Sequence, residues 1–358
     1  MLQQASYLTR VWLGTKVSGG LLPAVAKPLS AHLKLTENCQ AKCISCDYWK
    51  TRWQDGIDTE HAIDIINQIG DCGIGSLRFT GGEPLLRRDF FRILEKANTA
   101  PFKSIIVQTN ALLLKKLHRE INDSPITSVC VSLDGIGETN DRIRGIKGYF
   151  DLAMQGIPLL RGKKVTISVT LNKLSAGELE KLAEMARGVG ASVHFNILSQ
   201  SLPFTHDADY AAMWPGRAEL EEITRFVRDV LKRPAYEVDY IRKYYNNELT
   251  EEPPCVLGFL QVFVVSNGDV LTGCYPLKPV GNILRDRLET ILASKAYVEQ
   301  AEAMIRRECP GCTCGVESSL AMKHAGSSAF FELSRLLQPQ KTSDKTIPAA
   351  AAAMEDAS

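Results

Sequence analysis

Between residues 32 and 198 the chain alternates between short β-rich runs and stretches of helical periodicity. The runs are "HLKL", "SLRFTG", "SIIVQTN", "SVCVSLD", "KVTISVTL" and "ASVHFNIL". Helical patterns fall at 59–69, 89–97, 113–121 and 176–189, with another at 217–231 after the last strand. Parallel strands cannot be joined by a tight turn and need crossovers, so this rhythm implies a parallel sheet covered by helices. Eight such units complete a barrel; six leave it open. The expected fold is α/β, a partial (β/α)6 TIM-like barrel.

After about residue 234 the rhythm changes. "QVFVVSNGDVLTGCYP" places two apolar runs around Asn267-Gly268, and Asn-Gly accepts the positive φ angles of a hairpin turn. A small C-terminal β-hairpin/α domain is expected to begin here. The expected divisions are an N-terminal extension (1–30), the barrel core (31–235), the small domain (236–318), a C-terminal helix on "SSAFFELSRLL" (319–338) and a disordered tail (339–358), whose composition cannot build a core.

With 358 residues, 45% of them hydrophobic and 23% charged, the chain can bury a substantial core. A formal net charge of +1 and no run of Lys or Arg give no field for nucleic acid, which is excluded as an expected partner. Near the N-terminus, "VWLGTKVSGGLLPAVAKPL" is broken by Lys16 and by Gly19-Gly20, and its uncharged run 17–26 is too short to span a bilayer. The extension is expected to pack on the body, contact with a membrane surface being the lesser alternative. Ten cysteines in disulfides would require export, for which the N-terminus supplies no route, so they are expected to be reduced, in the cytoplasm, and clustered for metal.

Three of them, Cys39, Cys43 and Cys46, form a C-x3-C-x2-C triplet directly after the first strand. In β/α barrels the C-terminal ends of the strands carry the chemistry. Three thiolates can hold three corners of a [4Fe–4S] cluster and leave one iron free for another ligand. Structural zinc, the competing reading, wants four ligands, and His32 and His61 do not stand at finger spacing. At the end of the second strand, "FTGGEPLL" offers Gly81 and Gly82 for close approach to a ligand and Glu83 as an acceptor for a cationic amine.

Over residues 32–235 the chain resembles the radical S-adenosylmethionine (SAM) superfamily: the cysteine triplet, "GGEP", "QTNA" after strand three, "VSLDG" at strand four and "RIRG" beyond it. The resemblance implies a SAM-binding [4Fe–4S] cluster on Cys39, Cys43 and Cys46, reductive cleavage of SAM to a 5′-deoxyadenosyl radical, hydrogen abstraction from a substrate, and a flavodoxin- or ferredoxin-type electron donor. It implies SAM contacts at Gly81, Gly82, Glu83 and Ser132, with Thr109, Asn110, Asp134, Arg144, Ser168 and Asn196 as strand-end residues lining SAM or substrate or capping loops. The position before the third cysteine, usually aromatic in the family, is Ser45, which passes the adenine contact to Tyr48.

Cys255, Cys274, Cys309, Cys312 and Cys314 all fall near or after the hairpin, and their spacing suits zinc or a fully ligated cluster equally. Together with "NGDVLTGC" and "GNI" they resemble the twitch or shortened SPASM extension of radical SAM enzymes, which implies one auxiliary [4Fe–4S] cluster, with Cys314 an alternative ligand or a spare thiol. Cys72 and Cys130 read as small buried hydrophobes. The expected substrate is a small polar molecule that is oxidised, epimerised or decarboxylated. The alternative is a ribosomally made peptide; a lipid substrate or a non-catalytic iron–sulfur protein stands further off. Arg144, His194 and Tyr275 are the candidate catalytic residues.

Overall fold

A computed structural model describes residues 27–50, 56–97, 102–199, 210–249, 255, 257–274 and 277–308. Six parallel strands run in chain order: β1 (Ser30–Thr36), β2 (Ser76–Gly81), β3 (Ser104–Thr109), β4 (Ser128–Ser132), β5 (Lys164–Leu171) and β6 (Ser192–Ile197). Each pairs with its sequence neighbour, and β6 does not return to β1, so the sheet curves without closing.

Strand alternation divides the sheet into two faces. Leu33, Leu77, Phe79, Val107, Val131 and Ile167 point outward and are buried under the helices. His32, Arg78, Gln108, Ser132, Ser168 and His194 alternate with them and line the inner face. A closed barrel fills its interior with branched apolar side chains; here the inner face is polar and open.

The covering helices follow from local chemistry. In α1 (Thr59–Asp71), the Asp58 side chain accepts from the His61 N–H at 2.8 Å and caps the N-terminus. Ala62, Ile65, Ile66 and Ile69 then recur at helical spacing as one buried stripe. Burying each such isoleucine contributes about 1.5–3 kcal/mol. The other crossovers use α2 (Phe90–Ala97), α3 (Leu114–Asp123), a pair α4 (Glu138–Arg144) and α5 (Tyr149–Gly156), and α6 (Leu179–Gly188). Sequence periodicity did not reveal α4 and α5, whose seven and eight residues are too few to display a period. After β6, α7 (Arg217–Arg225) runs on as a π-helical turn to Val230.

The hairpin expected at Asn267-Gly268 forms between β7 (Gln261–Val264) and β8 (Asp269–Leu271), with Gly268 at φ +86°, and β9 (Gly281–Asn282) extends it. It does not stand apart from the barrel: β7 pairs parallel with β1, from Ser30↔Gln261 to Leu33↔Val264, so one nine-stranded sheet carries both units. The boundary expected at residue 236 falls inside α8 (Ala235–Tyr245). That helix packs on the barrel, because Tyr245 Oη donates to Leu171 O at 2.7 Å and accepts from the Leu198 N–H. A last helix, α9 (Lys295–Ile305), covers the short helix Leu257–Leu260, its Tyr297 Oη donating to Gly258 O. Among the described residues no helix is long and apolar enough to cross a membrane. The expected N-terminal extension, up to residue 26, and the C-terminal helix and tail lie outside the described residues.

Candidate active site

The cysteine loop leaves β1 and docks on the carbonyl end of α4. Lys42 N–H donates to Arg144 O at 3.1 Å and Ile44 N–H to Ile143 O at 2.9 Å, satisfying carbonyls that a helix end leaves free. Gly145 follows at φ +70°, and a Cβ there would lie 2.2 Å from Lys42 O, so only glycine permits the approach.

Cys39, Cys43 and Cys46 all open on one cavity of about 880 Å³. Asn110 Nδ2 stands 3.7 Å from the Cys39 sulfur and Arg144 Nη1 3.9 Å from that of Cys43, so two of the three sulfurs already face a protein donor. Burial pushes the Cys39 thiol up to about 11 and Cys46 up to about 12; it raises Cys43 as well, against the pull of Arg144. The thiols are thus held protonated, and a metal group that binds them must displace protons. Among the described residues no three His, Cys, Asp or Glu side chains converge on a single ion. Three thiols around one cavity, two with N–H donors aimed at sulfur, fit a multi-iron cluster better than one zinc ion.

Arg144 is held in place by Asp134, whose Oδ2 lies 2.8 Å from Nη2. Burial works against the guanidinium charge, and Asp134, Tyr149 and Cys43 together more than offset it. Asp134 Oδ1 accepts from the Thr170 N–H at 2.7 Å, so both carboxylate oxygens are engaged inside the protein. Asp134 does not line the cavity and stands as a buried strut beneath Arg144.

The "GGEP" turn is held by the chain itself. Gly81 and Gly82 do line the cavity, but the backbone they admit is the chain's own. A Cβ at Gly81, whose φ is +133°, would lie 2.2 Å from Thr36 O, and one at Gly82 2.2 Å from Asn38 O. The Gly82 and Glu83 N–H groups donate to those two carbonyls at 2.8 Å, stitching β2 to the start of the cysteine loop. Glu83, expected as an acceptor for a cationic amine, is fully buried. Its carboxylate accepts from Asn110 N–H (2.7 Å), Thr109 Oγ1 (2.9 Å) and Leu85 N–H (3.1 Å), bracing the turn against the end of β3. Burial raises its pKa to about 7 despite these donors.

The cavity also gathers Ser45, Tyr48, Asn110, Ser132, Asn196, Arg144 and His194 from the expected set. Asn196 Nδ2 donates to Ser168 Oγ at 2.7 Å, and the Ser132 carbonyl accepts from Tyr149 Oη. Cys255 and Cys274 come together in a buried cluster with Leu257 and Met304, and Cys274 faces the same cavity as the triplet. Tyr275, Cys309, Cys312 and Cys314 lie outside the described residues.

One functional group escaped sequence reading. Buried Lys34 pairs with Glu37 at 2.6 Å and sits 3.7 Å over the Tyr48 ring, while Glu37 accepts from Ser266 Oγ at 2.7 Å. This chain of contacts ties the cysteine loop to the hairpin turn. A Lys within the apolar strand, three residues before a Glu, was its sequence signal.

The chain is similar to known proteins. The sequence model of the radical SAM superfamily matches residues 33–186, and that of the SPASM iron–sulfur cluster-binding domain matches 255–314, the limits being Cys255 and Cys314. Fe-coproporphyrin III synthase of Methanosarcina barkeri is 29% identical over 156 residues, covering 42% of this chain and 39% of that protein. PqqA peptide cyclase of Rhizobium meliloti is 22% identical over 297 residues, 80% of this chain and 78% of that one. The crystal structure of Streptococcus suis SuiB bound to S-adenosylmethionine shares the fold, with a TM-score of 0.60 at 18% identity over 77% of this chain and 68% of that chain. The chain belongs to the radical SAM superfamily and carries a C-terminal SPASM iron–sulfur domain.

Proposed function

We propose that this protein cleaves SAM reductively and uses the radical to take a hydrogen atom from a small polar substrate held in the lumen. The observation that carries this reading is the convergence, on one polar cavity, of three half-buried thiols and the Cys274 sulfur. Cys39, Cys43 and Cys46 would hold one [4Fe–4S] cluster, and Cys255 and Cys274, with cysteines beyond residue 308, the auxiliary one. The first cluster, when bound, supplies the electron that breaks the sulfonium carbon–sulfur bond of SAM to give the 5′-deoxyadenosyl radical.

The chain's own residues do the rest. Arg144 keeps a fixed positive charge beside Cys43, and Asn110 donates toward Cys39; both favour the deprotonated, metal-bound sulfurs. Gly81 and Gly82 hold the rim loop close enough for SAM to lie across Ser45, Tyr48, Ser132 and Asn196. His194, exposed on the lumen wall, would move a proton on the substrate. A reduced flavodoxin- or ferredoxin-type protein would deliver the electron. A cavity of about 880 Å³ that must also take SAM leaves room for a small molecule or one side chain of a larger one.

A peptide substrate is the second reading. It is favoured by PqqA peptide cyclase, a relative aligned along 80% of the chain rather than along the barrel alone. Incubation of the anaerobically reconstituted protein with dithionite and SAM tests the common core of both readings: 5′-deoxyadenosine is expected. A purified iron–sulfur protein that leaves SAM intact would point to electron transfer or storage instead.

A further inference from the structure

Among the described residues no Asp or Glu lines the lumen, and its charged side chains are Arg78 and Arg144. Arg144 is matched by Asp134. Arg78 is not: among the described residues its guanidinium forms no ion pair, and its hydrogen bond is a long one, Nη1 to Gln108 Oε1 at 3.4 Å. Strand alternation leaves it no other direction, because its neighbours Leu77 and Phe79 are buried under the helices. A guanidinium stays charged at any ordinary pH and carries five N–H donors, so most of these face the cavity.

The surroundings narrow the ligand. His32 stands beside Arg78 in register, its ring edge-on to Phe263 at 4.5 Å, and it makes no side-chain hydrogen bond among the described residues. Burial, then the Arg78 charge, lowers its pKa to about 3, so the imidazole is neutral and offers one N–H. One guanidinium beside a neutral donor suits a monoanion, and its planar fork matches a carboxylate; a phosphate dianion would call for further positive charge. Arg78 lies three residues before Gly81, about 10 Å deeper in the lumen at the usual strand rise. It is therefore remote from the rim, where SAM is proposed to bind.

We propose that Arg78, flanked by Gln108 and His32, forms a carboxylate-binding subsite on the lumen floor, and that the substrate is a small carboxylic acid with its reacting carbon toward the cysteine rim. The inference rests on the lumen being the substrate site, as argued above. The test is calorimetric titration of the full-length, cluster-loaded protein with butyrate, a monoanion, and with its neutral analogue butyramide, in low salt and at saturating SAM. Butyrate should bind and butyramide should not, and Arg78→Gln should weaken butyrate at least tenfold, with Arg78→Lys between the two. The proposal is overturned by equal affinity for butyrate and butyramide in the wild type, which requires no variant. It is also overturned if saturating SAM displaces butyrate, since Arg78 would then belong to SAM, or if a short peptide with a central Glu binds more tightly than butyrate, since the acid would then be a side chain. Failure of the radical reading is seen separately, as wild-type protein that releases no 5′-deoxyadenosine, a result that the butyrate titration does not affect.

Discussion

The two cysteine sites of this protein differ in the side chains packed around them. Around Cys39, Cys43 and Cys46 the protein places charge and hydrogen bonds: Arg144 on Asp134, Asn110 at sulfur, Glu83 spanning the β2 turn and the end of β3. Around Cys255 and Cys274 it places hydrocarbon, with Leu257 and Met304 buried beside them and Leu277 packed against the cluster. Reduction potentials of iron–sulfur clusters follow hydrogen bonding to sulfur, net charge and solvent exposure. The first site is thus fixed by a polar frame and opens on a cavity where a further ligand can enter. At the second, Cys255 and Cys274 pack against apolar side chains, with Cys274 in the wall of the same cavity.

If that contrast is right, the two sites respond differently to removal. The largest effect is expected from Cys39→Ala, Cys43→Ala or Cys46→Ala: each should abolish 5′-deoxyadenosine release while iron remains at the second site, because three ligands carry no redundancy. Iron and sulfide analysis with product detection by chromatography checks this. Next, Cys255→Ala with Cys274→Ala should halve the iron, from about eight to about four per chain as two cubanes become one. SAM cleavage should persist while turnover of the true substrate is lost. Loss of SAM cleavage in this double variant would mean that the two sites are not separable.

Glu83 probes the polar frame itself. Glu83→Ala orphans two backbone N–H groups and the Thr109 hydroxyl, and unfolding free energy should drop by about 3 kcal/mol, given about 1–3 kcal/mol for each unmet buried group. A denaturation midpoint equal to wild type would contradict the brace and restore Glu83 as a plain ligand group. Arg144→Gln is smaller: supporting residues around a metal site are typically worth 10–100-fold in affinity or activity, so cluster occupancy or SAM cleavage should fall by that factor, measured by iron content and initial rate. The last effect is a pH dependence. Glu83 titrates near 7 in the folded chain against 4.5 for the free group, so the folded state binds its proton more tightly. Its contribution to stability is complete below about pH 4.5 and is lost as pH rises through about 7. Glu83→Gln, which cannot titrate, should flatten the stability profile of the metal-free protein across that window.

What the sequence disclosed and what it concealed divide along the same line of local against distant chemistry. The strands β1 to β6, helix α1 and the Asn267-Gly268 turn were legible because periodicity and turn residues act within a few positions. The cysteine triplet was legible because its spacing is itself the signal. The inward turn of Glu83 was not, since its partners Thr109 and Asn110 are 26 and 27 residues away. Nor was the place of Arg144 beside Cys43, across 101 residues, or the joining of β7 to β1, where Ser30 Oγ reaches Leu260 O across 230. Arg78 was hidden differently: a charged residue in a strand reads as solvent-facing, and only the open polar lumen shows that it faces inward.

The central claim is that the first site is a working radical SAM centre and the second an auxiliary one. Its most direct measurement is 5′-deoxyadenosine released by anaerobically reconstituted full-length protein given SAM and dithionite, set beside iron content. The account predicts release by the wild type at about eight irons per chain, and none by Cys43→Ala. Wild-type protein with both clusters in place that leaves SAM uncleaved would contradict it.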